Sequence, residues 1–292
     1  MSTGVYRIGN ANILIEKPDN MSMPANMQKF LLADARDKEL HMQYHLEFTQ
    51  NILQVEENLL LKKVSGKEAV RDTLKVFQTN EGECRVIYLA GEDIPYAVTL
   101  VLESKKMQIW VDEQCNEWLK LDTVFAAMLS WEKLMIDRDA MVLHSAYMCY
   151  KNTAVLFSAP SRTGKSTQAS LWEEYRQTRT INGDRTLLMR DEEGWKAYGW
   201  PVCGSSKICH NETYPIRAIV MLKQATENKV YRLTGFSALK EVMEQITING
   251  WDREFQMKAM DQLEILLAEV PVYMLECDIS EDAVRCLEEV IE

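Results

Sequence analysis

The sequence predicts an α/β (α+β) chain of two domains, β-rich over residues 1–121 and alternating α/β over residues 122–292. Three observations carry this expectation. The chain has 292 residues, and at about 150 residues per domain that corresponds to two. Its first ~120 residues are short β-branched or aromatic runs set apart by turn signals. Beyond Asp139, strand-like and helix-like stretches alternate, the pattern of a sheet covered by helices. With 47% hydrophobic and 26% charged residues, enough apolar surface is available for a core, which sets aside disorder and collagen-like repeats.

In chain order, Val5 to Glu16, Glu39 to Phe48, Cys84 to Leu89, Tyr96 to Leu102 and Met107 to Val111 read as strand, separated by turns such as Asn80-Glu81-Gly82 and Gly91-Glu92-Asp93. Asp122 or Thr123 is placed to cap a helix on which Val124, Met128, Trp131 and Met135 recur at helical spacing. Met141 to Cys149 alternates, Lys151-Asn152 turns, and Ala154 to Ser158 is wholly apolar until its last residue, as suits a strand buried on both faces. A helix is expected from Ser166 to about Tyr175, then a hairpin of Thr186 to Arg190 and Trp195 to Trp200 about the turn Asp191–Gly194. Ile216 to Leu222 and Val230 to Leu233 read as strands. Phe236 to Ile248 reads as a helix ended by Asn249-Gly250, and Asp252 to Ala268 as another. A strand at Val272 to Glu276 and a helix from about Ser280 complete the pattern.

The charge balance excludes some functions. Lys and Arg total 33 against 44 Asp and Glu, a formal net charge of −11, which repels phosphate backbones, so nucleic acid is not expected as a partner. No apolar run reaches the ~18 residues that cross a bilayer, and Met1 to Tyr6 carries no signal-peptide pattern. The expectation is a cytoplasmic chain without membrane attachment. The 7 cysteines are scattered without a CxxC pair and read as reduced thiols. The Cys203, Cys209, His210 spacing matches no common zinc pattern, so no structural metal is expected.

One stretch carries chemistry. Ala159-Pro160-Ser161-Arg162-Thr163-Gly164-Lys165-Ser166-Thr167 reads Axxxx-GK-S where a phosphate-binding loop usually reads Gxxxx-GK-S/T. Backbone amides from Ser161, Arg162, Thr163, Gly164, Lys165, Ser166 and Thr167 converge on a polyphosphate, and glycine lets them approach. The following helix points its positive end at the anion. Lys165 supplies a point charge for the terminal phosphates, and the Ser166 hydroxyl ligates Mg²⁺. The expected cofactors are ATP and Mg²⁺. Ala159 replaces glycine at the first loop position and disfavours positive φ, so a different backbone path is expected there. Asp184, in Asn182-Gly183-Asp184-Arg185, is the candidate second metal-tending or proton-accepting group; a turn or cap aspartate is its plainer alternative.

Leu143-His144-Ser145-Ala146, the loop from Ser158 to Thr167, Gly183-Asp184-Arg185 and Gly199-Trp200-Pro201-Val202-Cys203-Gly204-Ser205-Ser206-Lys207 occur in one order over about residues 140 to 223. That order resembles the catalytic domain of HPr serine kinase/phosphorylase and its wider kinase relatives. That fold is related to the nucleotide domain of phosphoenolpyruvate carboxykinase. The resemblance implies a C-terminal P-loop kinase domain, with His144 on the strand before the loop and near the γ-phosphate. It places Asp184 at the second acid of the family's Asp-Asp pair, whose first acid is Gly183 here. The longer signature that docks HPr is missing, so HPr is not expected as substrate; relatives outside that branch phosphorylate other serine hydroxyls.

The expected function is thus an ATP-dependent phosphotransferase acting on a serine-bearing peptide, protein or small molecule, with self-association left open. Lys165 and the loop amides neutralise charge, Ser166 and Asp184 tend the metal, and Asp184 or His144 receives the proton. Lys207 steadies the transferring group from a closing loop or, on the plainer reading, is a solvated lysine. For His144 the plainer reading is a core histidine. The β-rich N-terminal domain would recognise the acceptor or a partner. A nucleotide-binding regulatory or scaffold protein with weak or no catalysis is the rival, motivated by Ala159 and Gly183, and a decarboxylating kinase is the third reading.

Overall fold

A computed structural model describes residues 1–66, 70–102 and 105–292, which divide into two units, Met1–Trp131 and Glu132–Glu292. The first unit holds one eight-stranded sheet. Its strands are β1 (Ser2–Ile8), β2 (Ala11–Lys17), β3 (Met42–Thr49), β4 (Lys63–Ser65), β5 (Leu74–Thr79), β6 (Glu83–Tyr88), β7 (Pro95–Leu102) and β8 (Lys106–Asp112). They lie in the order β1-β2-β3-β8-β7-β6-β5-β4. Pairing is parallel at β2–β3 and β3–β8 and antiparallel elsewhere.

The run from Val5 to Glu16 is a hairpin, not one strand. Gly9 takes a left-handed φ of 58°, which turns β1 back against β2 in register. Helix α1 (Ile52–Leu60) was not foreseen. The Asn51 side chain accepts from the Gln54 amide at 3.1 Å and starts it. Ile52 and Leu59 then pack on Phe77, Val86, Val98 and Leu100 of the sheet. The helix expected from Val124 to Met135 is interrupted: α2 spans Asp122–Ala127 and α3 Trp131–Ile136. Ser130 at φ 50° separates them, since a left-handed residue cannot continue the i→i−4 ladder.

The second unit follows the alternating pattern. Its elements are β9 (Ala140–Tyr150), β10 (Thr153–Ser158), α4 (Lys165–Arg176), β11 (Arg179–Asn182), β12 (Arg185–Asp191), β13 (Gly194–Tyr198), β14 (Thr213–Gln224) and β15 (Lys229–Leu233). After these come α5 (Gly235–Met243), α6 (Arg253–Glu269), β16 (Val272–Cys277) and α7 (Glu281–Ile291). The sheet order is β10-β9-β12-β13-β14-β16-β15, with β11 beside β9 and β10 also paired to β14. Strand β10 therefore lies between an antiparallel and a parallel neighbour, and Val155, Leu156 and Phe157 are wholly buried. One core contains Leu156, Leu143, Val242, Leu263 and Leu266; another contains Val155, Phe157, Trp172, Val284 and Leu287. The Lys151-Asn152 turn joins β9 to β10 with both residues left-handed, at φ 49° and 58°.

Helix α5 stops at Met243, five residues before the expected end. The chain that follows lays its backbone along β9: the His144 amide donates to Gln245 O at 2.9 Å and the Thr247 amide to Val142 O at 2.9 Å. These strand-type bonds satisfy one edge of β9 and displace the final helical turn. Among the described residues no helix is long and apolar enough to cross a membrane. All seven cysteines are free thiols.

Candidate functional site

Strand β10 leads into the 159–164 loop and then into α4. Ser158 ends the strand with its hydroxyl donating to His144 O at 2.8 Å. Ala159 is buried. The left-handed turns of the loop fall on Arg162 (φ 68°) and Gly164 (φ 116°), which answers the question raised by alanine at the first position: the strain sits three residues later. Nothing lies within 4 Å of a Cβ built on Gly164, so glycine is required there by backbone conformation rather than by space. The loop is pinned from outside, with Gln224 Nε2 donating to Thr163 O at 3.2 Å.

Lys165 is 7% exposed. Its ammonium donates to Ala159 O at 2.9 Å and to Pro160 O at 3.4 Å, so the side chain folds back across the loop that precedes it. Burial lowers the Lys165 pKa, the charge of Asp184 opposes that, and Arg185 adds to it. No side chain caps the start of α4, so its first amides keep their hydrogen-bonding capacity and the positive end of a twelve-residue helix is left open.

Asp184 stands on the turn between β11 and β12. The turn is built by Asn182, which is fully buried. Its Oδ1 accepts from the Asp184 and Arg185 amides, both at 2.9 Å, and its Nδ2 donates to Trp200 O at 2.8 Å and Val202 O at 3.0 Å. One side chain thus fixes both the carboxylate and the loop that faces it. Asp184 Oδ1 lies 3.5 Å from His144 Nε2, and Oδ2 accepts from Arg185 Nε at 3.3 Å. The hydrogen bond with His144 holds the Asp184 carboxyl below the usual carboxylate range. Burial works against this, and the Arg185 and His144 charges reinforce it.

His144 is tied on its other side as well. Its Nδ1 lies 3.3 Å from Gln245 Oε1, and the same Gln245 takes its backbone amide. A doubly protonated ring can therefore donate to two acceptors at once, one through each nitrogen.

The 203–207 loop closes the remaining side. A Cβ on Gly183 would lie 2.3 Å from Ser206 Cβ, so Ser206 occupies the volume a side chain at 183 would need. The Ser206 hydroxyl donates to Cys203 O at 2.6 Å and accepts from the Ile208 amide at 3.3 Å. Gly204 (φ 54°) passes over Asp184, a Cβ there falling 3.2 Å from the carboxyl carbon. Gly183→Ala should therefore destabilise the unit by about 1–3 kcal/mol through overpacking, read as a fall in thermal midpoint, and adding Ser206→Gly should restore most of it. Additive effects in the double variant would contradict this packing.

His144, Ser161, Arg162, Gly164, Lys165, Ser166, Thr167 and Asp184 line one cleft of about 430 Å³, together with Gly183, Ser205 and Ser206. Two expected site residues are outside its lining. Thr163 belongs to the loop but is not part of the lining, and Lys207 is exposed at φ 58° next to Ser206 of the cleft wall. Among the described residues no cluster of three or more His, Cys, Asp or Glu could hold a metal ion. Cys209 is spent on the loop, donating to Trp200 O at 3.3 Å. Sequence reasoning passed over Asn182, Gln245, Ser205 and Ser206 as site residues. Asn182 carries no signal of its own beside Asp184, and Gln245 falls inside the helix expected from Phe236 to Ile248, which ends before it.

Among curated proteins none matches the sequence. Among solved structures, the HPr(Ser) kinase/phosphatase from Coxiella burnetii is similar over 51% of this chain and 95% of its own, at 7% identity and a TM-score of 0.32. Residues 111–292 match the sequence pattern of ScmC, a SynChlorMet cassette protein. That span is more than half of the chain, and the chain belongs to the ScmC family.

Proposed function

We propose that the cleft binds a nucleoside triphosphate, ATP, with Mg²⁺ and passes the γ-phosphate to a hydroxyl, that of serine in a peptide, protein or small molecule. One observation carries the reading: the uncapped start of α4 and Lys165 share a cleft with Asp184 and His144. The donor set suits a polyphosphate. The open amides and the ammonium are unspent except on two loop carbonyls, and phosphate oxygens are stronger acceptors for a cation than carbonyls are. The sequence motif, in its strand–loop–helix setting, points the same way.

Two protein oxygens, Ser166 Oγ and the Asp184 carboxylate, suit Mg²⁺, which takes few protein ligands and completes its shell with phosphate and water. When bound, the ion supplies charge neutralisation between the terminal phosphates. The lowered pKa of Asp184 makes it a weak proton acceptor and a good cation ligand. The proton of the attacking hydroxyl is then assigned to His144, whose protonated ring is received by Asp184 Oδ1 and Gln245 Oε1. Lys165 and the loop amides meet the charge that builds on the transferring group.

Incubation of the full chain with γ-labelled ATP, Mg²⁺ and a panel of serine-bearing acceptors tests the reading. Label appearing on an acceptor hydroxyl supports it. Saturable nucleotide binding with no transfer to any acceptor, water or the chain itself favours the regulator reading, for which Gly183 in place of an acid is the supporting observation.

A further inference from the structure

The wall of the cleft facing the 159–166 loop carries two adjacent serines, and they are not equivalent. Ser206 is committed: its hydroxyl bonds Cys203 O and the Ile208 amide, and its Cβ fills the space over Gly183. Ser205 is exposed and lines the same cleft as Lys165, His144 and Asp184. Its hydroxyl has no hydrogen-bond partner among the described residues. Its position is fixed from both sides. Gly204, one residue earlier, lies directly over the Asp184 carboxylate, and consecutive Cα atoms are only about 3.8 Å apart. Ser206, one residue later, is locked in the wall. Left-handed backbone at Gly204 and Lys207 brackets the pair.

Resting on the phosphotransfer reading above, we propose that Ser205 is itself a phosphoacceptor, modified by the cleft of its own chain. A serine that lines one cleft with the histidine–carboxylate pair and the loop lysine is within the space an incoming acceptor serine would have to enter. The step balances without a further reactant. The Ser205 O–H bond breaks and its proton passes to His144. The Oγ–phosphorus bond forms as the bond from the γ-phosphorus to the β,γ-bridging oxygen breaks, and nucleoside diphosphate leaves with that electron pair. Phosphoserine carries about −1.5 to −2 charges. In a cleft that Lys165 and Arg162 also line, it competes with the terminal phosphates of the next nucleotide. Modification therefore slows transfer to outside acceptors.

The test uses the full, unmodified chain with Mg²⁺ and γ-labelled ATP and no acceptor, followed by intact mass measurement and peptide mapping. One added phosphoryl group per chain on the peptide containing Ser205 is expected. The first-order rate should be unchanged on about tenfold dilution, since the reaction is intramolecular, and the label should be lost in Ser205→Ala. Label on another residue, or a rate that falls with dilution, overturns the proposal. Transfer to water or an added serine acceptor with Ser205 unlabelled overturns it while leaving the proposed function standing. Absence of any nucleotide association overturns both.

Discussion

Lys165→Ala should weaken MgATP binding roughly 10- to 100-fold. A hydrogen bond to a charged group contributes about 1.5–3 kcal/mol, and each 1.4 kcal/mol is a factor of ten. The residue is buried and its ammonium holds the loop carbonyls of Ala159 and Pro160, so loss of binding through misfolding must be distinguished from loss of the charge. Lys165→Met keeps most of the apolar stem and should lose affinity to the same degree while melting near the parent temperature. Arginine is not a neutral replacement, because a planar fork does not fit where a point charge folds back over one turn of loop. Equal affinity for parent and both variants, measured by titration, would contradict the assignment of this lysine.

Asp184→Asn should leave nucleotide affinity within about tenfold of the parent but reduce phosphate transfer by about 10²- to 10⁴-fold. The substitution keeps the shape of the side chain and its backbone bond to Asn182, while removing the charge that tends the metal and lies beside the His144 ring. The two effects separate in a comparison of binding and turnover. Stability should change with pH in a definite direction. The folded-state pKa of Asp184 is lowered, so its contribution is present above the unfolded value near ~3.9 and is lost as pH falls through the folded value. The parent should therefore lose part of its stability below about pH 4, and Asp184→Asn should lack that component of the acid limb. Unchanged turnover in Asp184→Asn would remove the carboxylate from the chemistry.

The sequence announced the second unit more fully than the first, for physical reasons. Strand β10 and helix α4 carry strong local signals, a wholly apolar run and a glycine-lysine-serine junction, and both lie where expected to within a residue. The β12–β13 hairpin was visible in its Asp191–Gly194 turn. Helix α5 was overextended because Glu244 to Ile248 continues an apolar periodicity. Only the tertiary demand of the β9 edge, met by Gln245 O and the Thr247 amide, ends the helix early. That same override hid Gln245 from the list of site residues. In the first unit, Gly9 and Asn51 were the readable marks of a hairpin and a helix start, and both were outweighed by the β-branched runs around them.

For the site, motif spacing points to the loop, position after its helix to Asp184, and the family resemblance alone to His144; the fold brings all three into one cleft. What spacing could not show is how Gly183 is used. A missing acid looks like a loss in the sequence, yet in the folded chain that position accommodates Ser206 and with it the loop that presents Ser205. Lys207 carries the right charge in the sequence, but in the fold it is exposed and outside the cleft lining.

The central claim is that the loop from Ala159 to Ser166 and the start of α4 receive the phosphates of a nucleoside triphosphate. Calorimetric titration of the full chain with ATP and Mg²⁺, at two temperatures so that a vanishing enthalpy at one cannot hide binding, measures this directly. The account predicts saturable binding at one site per chain, weakened by Lys165→Ala. No heat of association at either temperature, from a chain that melts cooperatively, would contradict it.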